Sequence, residues 1–174
     1  MVEIMDNIEV IISREEIAAR VEELGKEISK HYNGEPLTVV VLMTGGMIFA
    51  SDLIRAMDIP LWVDSISVAS YHGHSSTGEL KFRSELKMSV KDRHVLLVDE
   101  VFDTGLTLTA LRDYMRSAGA LSVKAAVAVI KDIPRKPESI MPEFFGFQAP
   151  DRYLIGYGLD SNEDGRQIPY IGVM

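Results

Sequence analysis

A chain of 174 residues, 47 % hydrophobic and 25 % charged, has the balance of one globular domain with a sizeable core. The formal net charge of −8 argues against a broad nucleic-acid face, and the absence of cysteine excludes disulfides and thiolate metal sites. No apolar run approaches the ~18 residues of a membrane span, and MVEIMDNIEV carries acids where a secretory signal needs a basic patch, so a cytoplasmic protein is expected.

The first predicted element is a helix. Ser13-Arg14-Glu15-Glu16 has the form of a capping box, and Ile17, Val21, Leu24 and Ile28 follow on one face at helical spacing. Leu37–Met43 is an apolar, β-branched run, the mark of a strand covered on both faces. Gly45-Gly46 turns the chain into a helix with Phe49, Leu53 and Met57 at spacing four. Trp62–Ser70 reads as a strand in which Ile66 and Val68 alternate with serines, and Tyr71–Gly78 as a polar loop. Leu80–Leu86 alternates like a hairpin strand. Val95–Val98 is a buried strand, and Leu108, Leu111, Met115 and Ala118 mark a helix that stops at Gly119. Val123–Ile130 is a further buried strand, Lys131–Pro142 with its three prolines is irregular, and Tyr153–Gly158 is a last short strand.

Buried strands alternating with helices imply an α/β protein with a mostly parallel, doubly wound sheet. Such sheets bind ligands beyond the carboxyl ends of their strands. Thr44-Gly45-Gly46, Asp99–Thr107 and Lys131 all fall there.

The stretch VLLVDEVFDTGLTLTAL, residues 95–111, concentrates the chemistry. Small residues between a strand and a helix let backbone N–H groups face outward and form an anion nest, to which Thr104 and Thr107 add hydroxyls; an ordinary turn and N-cap has the same form. Asp99 and Glu100, adjacent and directed to opposite sides of the pleat, suit either vicinal ribose hydroxyls or a Mg²⁺ shell. Asp103 beside an anion nest needs a task of its own, such as taking a proton from a substrate nitrogen.

VLLVDEVFDTGLTL resembles the signature of the type I phosphoribosyltransferases. VLMTGGMIFASDLIR, SYHGHSSTG, VIKDIPR and PDRYLIGYGLDSNEDGR resemble, in order, the pyrophosphate loop, mobile lid, purine-reading lysine segment and C-terminal hood of their hypoxanthine-guanine members. The resemblance covers about Ile11 to Val173. It implies the type I phosphoribosyltransferase fold, one domain over residues 1–174. Its core would span about 13–142, and a small hood would come from the N-terminal segment and about 143–174. The activity implied is purine salvage: phosphoribosyl transfer from phosphoribosyl pyrophosphate to a 6-oxopurine, releasing pyrophosphate, with Mg²⁺ as cofactor. The implied assembly is a homodimer or homotetramer, without nucleic-acid or membrane partners.

Residue roles are implied in the same way. Asp99 and Glu100 would hold the ribose hydroxyls directly or through Mg²⁺, and Asp160 would bind Mg²⁺ on the pyrophosphate. Asp103 would be the catalytic base at purine N7, and Thr104, Gly105, Leu106 and Thr107 would cradle the 5′-phosphate. Lys131 would donate to the purine 6-oxo group, Tyr153 would stack on the base, and Leu154 would offer backbone groups to its edge. Arg166 would contact pyrophosphate, as would Thr44 and Gly45, and Ser70 and Tyr71 would open a lid over Ser70–Gly78. The resemblance also implies a cis peptide between Met43 and Thr44. Two positions depart from common family usage: Thr44 replaces a basic residue, and Leu106 stands where some relatives have Lys or Asn. Competing readings are a nucleotide-sensing regulator of the same fold, an enzyme for xanthine or guanine alone, and a receiver-type phosphoacceptor domain.

Overall fold

The computed structural model describes residues 8–69, 81–135 and 139–174. In chain order the elements are β1 (Glu9–Ile12), α1 (Arg14–Tyr32), β2 (Leu37–Met43), α2 (Met47–Ala56), β3 (Leu61–Ala69), β4 (Lys81–Phe82), β5 (His94–Phe102), α3 (Leu106–Ser117), β6 (Ser122–Lys131), β7 (Phe144–Ala149), β8 (Leu154–Ile155) and β9 (Ile171–Val173). Six strands form one sheet in the order β4-β3-β2-β5-β6-β7, parallel except for β4. The other three, β1-β9-β8, form a small antiparallel sheet.

Strand periodicity divides the core in two. Val39, Val41, Leu96, Val98, Ala126 and Ala128 face one cluster, together with α1, α2 and the small sheet. Val40, Leu42, Val95, Leu97, Ala125 and Val127 face the other, under Leu108, Leu111 and Met115 of α3. The central strands are therefore apolar along the stretches Val39–Leu42, Val95–Val98 and Ala125–Ile130, as a sheet covered on both faces requires. A fully buried side chain such as Leu97, cut to alanine, costs about 2–5 kcal/mol. The α1 capping box is present: the Ser13 hydroxyl accepts the Glu16 N–H at 3.2 Å, and the Glu16 carboxylate accepts the Ser13 N–H at 2.8 Å. Ile17, Val21, Leu24 and Ile28 are all buried.

Some elements differ from the sequence expectation. β5 does not end at Val98; it pairs with β6 through Phe102↔Ile130, so Asp99 and Glu100 lie inside the strand. Backbone pairing is indifferent to side-chain charge where the side chains reach an open edge. The segment Phe144–Ala149 adds a parallel edge strand to β6, so residues assigned above to the hood belong to the large sheet, and the boundary expected near 142 moves beyond Ala149. The hairpin strand expected over 80–86 contracts to Lys81–Phe82. Downstream, the buried Asp64 carboxylate accepts the N–H groups of Lys87 at 2.7 Å and Met88 at 2.9 Å, which draws the chain off the sheet edge. Ala118 is the exposed C-cap of α3 and takes no part in its apolar face. Only Leu154–Ile155 of the predicted last strand is extended, because Gly156, Tyr157 and Gly158 all have positive φ. The Met43–Thr44 peptide is cis, as the resemblance implies. The loop at Tyr71–Gly78, with Ser70 and Tyr71, lies outside the described residues. No described helix is long and apolar enough to cross a membrane.

Two buried phenols link stability to alkaline pH. Burial raises the Tyr157 hydroxyl above its ordinary range, reinforced by its 2.9 Å hydrogen bond to Asp52; burial, then the charge of Glu143, does the same for Tyr32. Each contributes stability that is complete below the unfolded value of about 10 and is lost as pH climbs above it. Unfolding free energy should therefore fall above pH ~10 by up to about 1.4 kcal/mol per pH unit for each tyrosine. Urea titrations of wild type and Tyr157→Phe over that range check this; a slope unchanged by the substitution refutes it.

Candidate active site

The carboxyl ends of β2, β3 and β5 surround a cavity of about 370 Å³. Thr44, Gly45, Asp99, Glu100, Thr107, Asp160 and Arg166 line it, so the sheet gathers these sequence-predicted residues in one place. Ser67, Arg83 and Glu163 line it too, without having been anticipated.

Two helices begin at this edge. α2 starts after Gly46 and α3 after Gly105, and neither has a side-chain capping hydrogen bond. The Met47 N–H turns back to the Thr44 carbonyl at 3.2 Å, and the positive dipole ends of both helices are left to serve an anion. Gly105 has φ 80°, the left-handed backbone that glycine adopts most readily and that turns β5 into α3. Thr104 contributes only a long 3.5 Å contact to the Leu106 N–H, so the cap expected from its hydroxyl is weak.

Asp99 and Glu100, adjacent in β5, both line the one cavity. Burial, then the neighbouring Glu100 charge, pushes the Asp99 carboxyl well above the ordinary carboxylate range. The Asp99 carboxylate also accepts the Glu100 N–H at 3.0 Å. Among the described residues no group of three or more His, Cys, Asp or Glu side chains is placed to hold a metal by itself. Two adjacent carboxylates on one cavity do fit a hard cation that takes its remaining oxygens from water and a phosphorylated substrate, as Mg²⁺ does.

Beside this cavity lies a second group. Lys131 is the last residue of β6, and its Nζ is 4.0 Å from a carboxylate oxygen of Asp103 and equally 4.0 Å from one of Asp151. These are ion contacts too long for hydrogen bonds, so the ammonium lies between two carboxylates with its donors free to turn. Tyr153 is 52 % exposed, and its hydroxyl donates to the Asp160 carbonyl at 3.2 Å. Leu154 is buried in β8, paired to Val173.

Arg166 and Asp160, expected to meet substrate separately, meet each other. Arg166 Nη2 is 2.8 Å from Asp160 Oδ1 and 3.0 Å from Glu163 Oε2, while Nη1 donates to the Gly158 carbonyl at 2.7 Å. The loop they occupy rests directly on the β2–α2 turn. A Cβ on Gly158 would strike the Gly45 carbonyl oxygen, and a Cβ on Gly45 would strike the Glu100 carboxylate. Gly45 and Gly158, with Gly46 against the Val98 carbonyl, let three chain segments close up here.

This arrangement, anion-binding turns around paired acids at the edge of a parallel sheet, has known counterparts. Residues 9–162 match the family model described as the phosphoribosyl transferase domain, and the chain belongs to that family. It is an enzyme of the phosphoribosyltransferase class. Over 166 residues, 94 % of this chain and 93 % of the relative, it is 39 % identical to a hypoxanthine-guanine phosphoribosyltransferase of Aquifex aeolicus. It is 34 % identical, over 98 % of this chain and 93 % of the relative, to a hypoxanthine-guanine-xanthine phosphoribosyltransferase of Tritrichomonas foetus. A crystal structure of a hypoxanthine phosphoribosyltransferase from Staphylococcus aureus superposes with a TM-score of 0.93 at 34 % identity, covering 98 % of this chain and 94 % of that one.

The glycine contact is testable. Gly158→Ala combines a collision with the Gly45 carbonyl and a φ of +100°, whereas Gly34→Ala at φ +85° has nothing within 4 Å. Gly158→Ala should lose about 1–3 kcal/mol and Gly34→Ala clearly less, read as urea midpoints at unchanged m. Equal losses would mean that the packing contact contributes nothing beyond backbone strain.

Proposed function

We propose that the protein is a purine-salvage enzyme that transfers the 5-phosphoribosyl group of phosphoribosyl pyrophosphate to N9 of a 6-oxopurine, hypoxanthine or guanine, giving the nucleoside monophosphate and pyrophosphate. The observation that carries this reading is the single edge at which two uncapped helix starts flank Asp99 and Glu100, with Lys131 and Asp103 alongside.

The two helix starts suit the two anionic ends of phosphoribosyl pyrophosphate. Thr104–Thr107 at α3 would take the 5′-phosphate, and Thr44-Gly45 at α2, with Arg166, the pyrophosphate. Arg166 would exchange its present carboxylate partners for the substrate anion. Asp99 and Glu100 would hold the ribose hydroxyls. Mg²⁺ would meet Asp99 and Glu100 on the ribose side and Asp160 on the pyrophosphate side, with its other oxygens from water and substrate, and would supply charge neutralisation for the departing pyrophosphate. In the transfer the purine N9–C1′ bond forms, the C1′–O bond breaks, and its electron pair leaves with pyrophosphate. The purine N7 proton passes to the Asp103 carboxylate. Tyr153, largely exposed beside this group, would cover the face of the base, and the main chain at Leu154 would meet its edge. Ser70 and Tyr71 would begin a lid that keeps water from the cationic ribose.

A cytoplasmic setting suits substrates too highly charged to cross a membrane. Assembly as a homodimer or homotetramer is supported by Met47 and Val63, both nearly half exposed on a groove shared with Met43 and Ile54.

Asp103→Asn should lower turnover by roughly 10²–10⁴-fold with a smaller effect on phosphoribosyl pyrophosphate binding. Turnover near wild type would remove Asp103 from the mechanism. Base choice tests Lys131. Its ammonium has donors only, and the 6-position of hypoxanthine, guanine and xanthine presents an acceptor where adenine presents an amino group. kcat/KM for adenine should lie about 10⁴-fold or more below that for hypoxanthine, and Lys131→Met should cost 6-oxopurine activity without creating good adenine activity. Adenine within about tenfold of hypoxanthine on the wild type, far short of that discrimination, would sink the assignment.

A further inference from the structure

β5 and β6 are paired in register up to Phe102↔Ile130. Immediately beyond, the chains part, one into the α3 turn and the other into the irregular segment after Lys131. Carbonyls at the parting lose their ladder partners, and this is where Asp103 and Lys131 must be held side by side. The guanidinium of Arg135 fills the gap. Its Nε donates to the Asp103 carbonyl at 2.8 Å, and its Nη2 to the Phe102 carbonyl at 3.4 Å and, closely, to the Lys131 carbonyl. Its Nη1 donates to the Ile133 carbonyl at 3.2 Å, and its Cζ sits 4.8 Å above the centre of the Phe102 ring. Both sides of the parted strands are thus bound by one planar group.

We infer that Arg135 is a positioning residue for Asp103: it ties the end of β5 to the end of β6 and so sets where the Asp103 carboxylate stands relative to Lys131. The inference rests on the transferase reading above. The Lys131 and Ile133 carbonyls lie within four residues of Arg135 and form its local frame; the Phe102 and Asp103 carbonyls are the distant partners it holds. A guanidinium suits this task because its five donors are fixed in one plane and it stays charged at any relevant pH. A lysine ammonium has three donors about one point and cannot span four carbonyls on two chains.

The test is a double-mutant cycle on the full chain: wild type, Arg135→Met, Asp103→Asn and the double variant. For each, kcat, hypoxanthine KM and phosphoribosyl pyrophosphate affinity by calorimetry are measured. Arg135→Met should lower kcat by roughly 10²-fold, since a misplacement near 1 Å costs about that much. Phosphoribosyl pyrophosphate affinity should change far less than kcat, because Arg135 bonds carbonyls of the 102–106 turn and not the N–H groups that would face the phosphate. On the Asp103→Asn background the same substitution should cost less than about threefold, its effect having run through the missing carboxylate. Losses that multiply independently, or an Arg135→Met enzyme with wild-type kcat, overturn the inference. If Arg135→Met does not fold, Arg135→Lys replaces it in the cycle: a turnover loss that vanishes with Asp103→Asn supports the role, and near wild-type turnover overturns it. A wild type that forms no nucleotide, or an innocuous Asp103→Asn, defeats the transferase reading and this inference with it. An active wild type with independent losses defeats the inference alone.

Discussion

The site depends on the register in which β5 lies between β2 and β6, parallel to both. Parity along these strands sends Leu96 and Val98 to one core cluster and Val95 and Leu97 to the other, so a slip of one residue would exchange the two sets. Fixing that register also fixes the far end. Because the strands run the same way, their exits fall on one edge, and the turns at 43–46, 102–106 and 131–135 become neighbours although the sequence separates them widely. Chemistry is then a matter of which residues stand at those exits.

At that edge opposite charges are kept close without a rigid lattice of salt bridges. Burial and the crowding charge of Glu100 both fall on Asp99, and the cost appears as its raised proton affinity. The positive ends of α2 and α3 lie on the same rim, and Arg166 brings a cation to Asp160 and Glu163. An incoming multivalent anion with its cation would replace these partial pairings with complete ones, and the protein would have little to rebuild.

How much of this is legible in the sequence varies with the kind of interaction. Strands buried on both faces announce themselves: Leu37–Met43 is found to the residue, and the capping box at Ser13 marks its helix. β1 and β9 are short and pair across nearly the whole length of the chain, so no local pattern reveals them. β7 is an edge strand whose FFGFQA lacks clean alternation. Asp99 and Glu100 mimic a strand end because polarity is taken for a boundary, while the backbone ladder continues beneath them. Of the family motif, Asp99, Glu100 and Thr107 line one cavity. Arg135 bonds to main-chain carbonyls, which every sequence has, and the mutual pairing of Arg166 with Asp160 follows from the fold of a turn, so both need coordinates to be seen.

The small sheet has a consequence for the order in which the molecule is made. Among the described residues β1 has its ladder partner in β9, with Val10 opposite Gly172, and β8, just upstream of the glycine that rests on Gly45, pairs with the same strand. A ribosome emits β1 first, then the whole parallel sheet, and β9 only afterwards. The sheet and its turns at 43–46 and 102–106 have their mutual partners in hand well before that point, whereas the segment bearing Tyr153, Asp160 and Arg166 waits for its central strand. The nascent chain thus acquires a folded framework before it acquires a roofed site. A polypeptide interrupted late in translation would hold the acids and turns of the pocket without the part that closes against them.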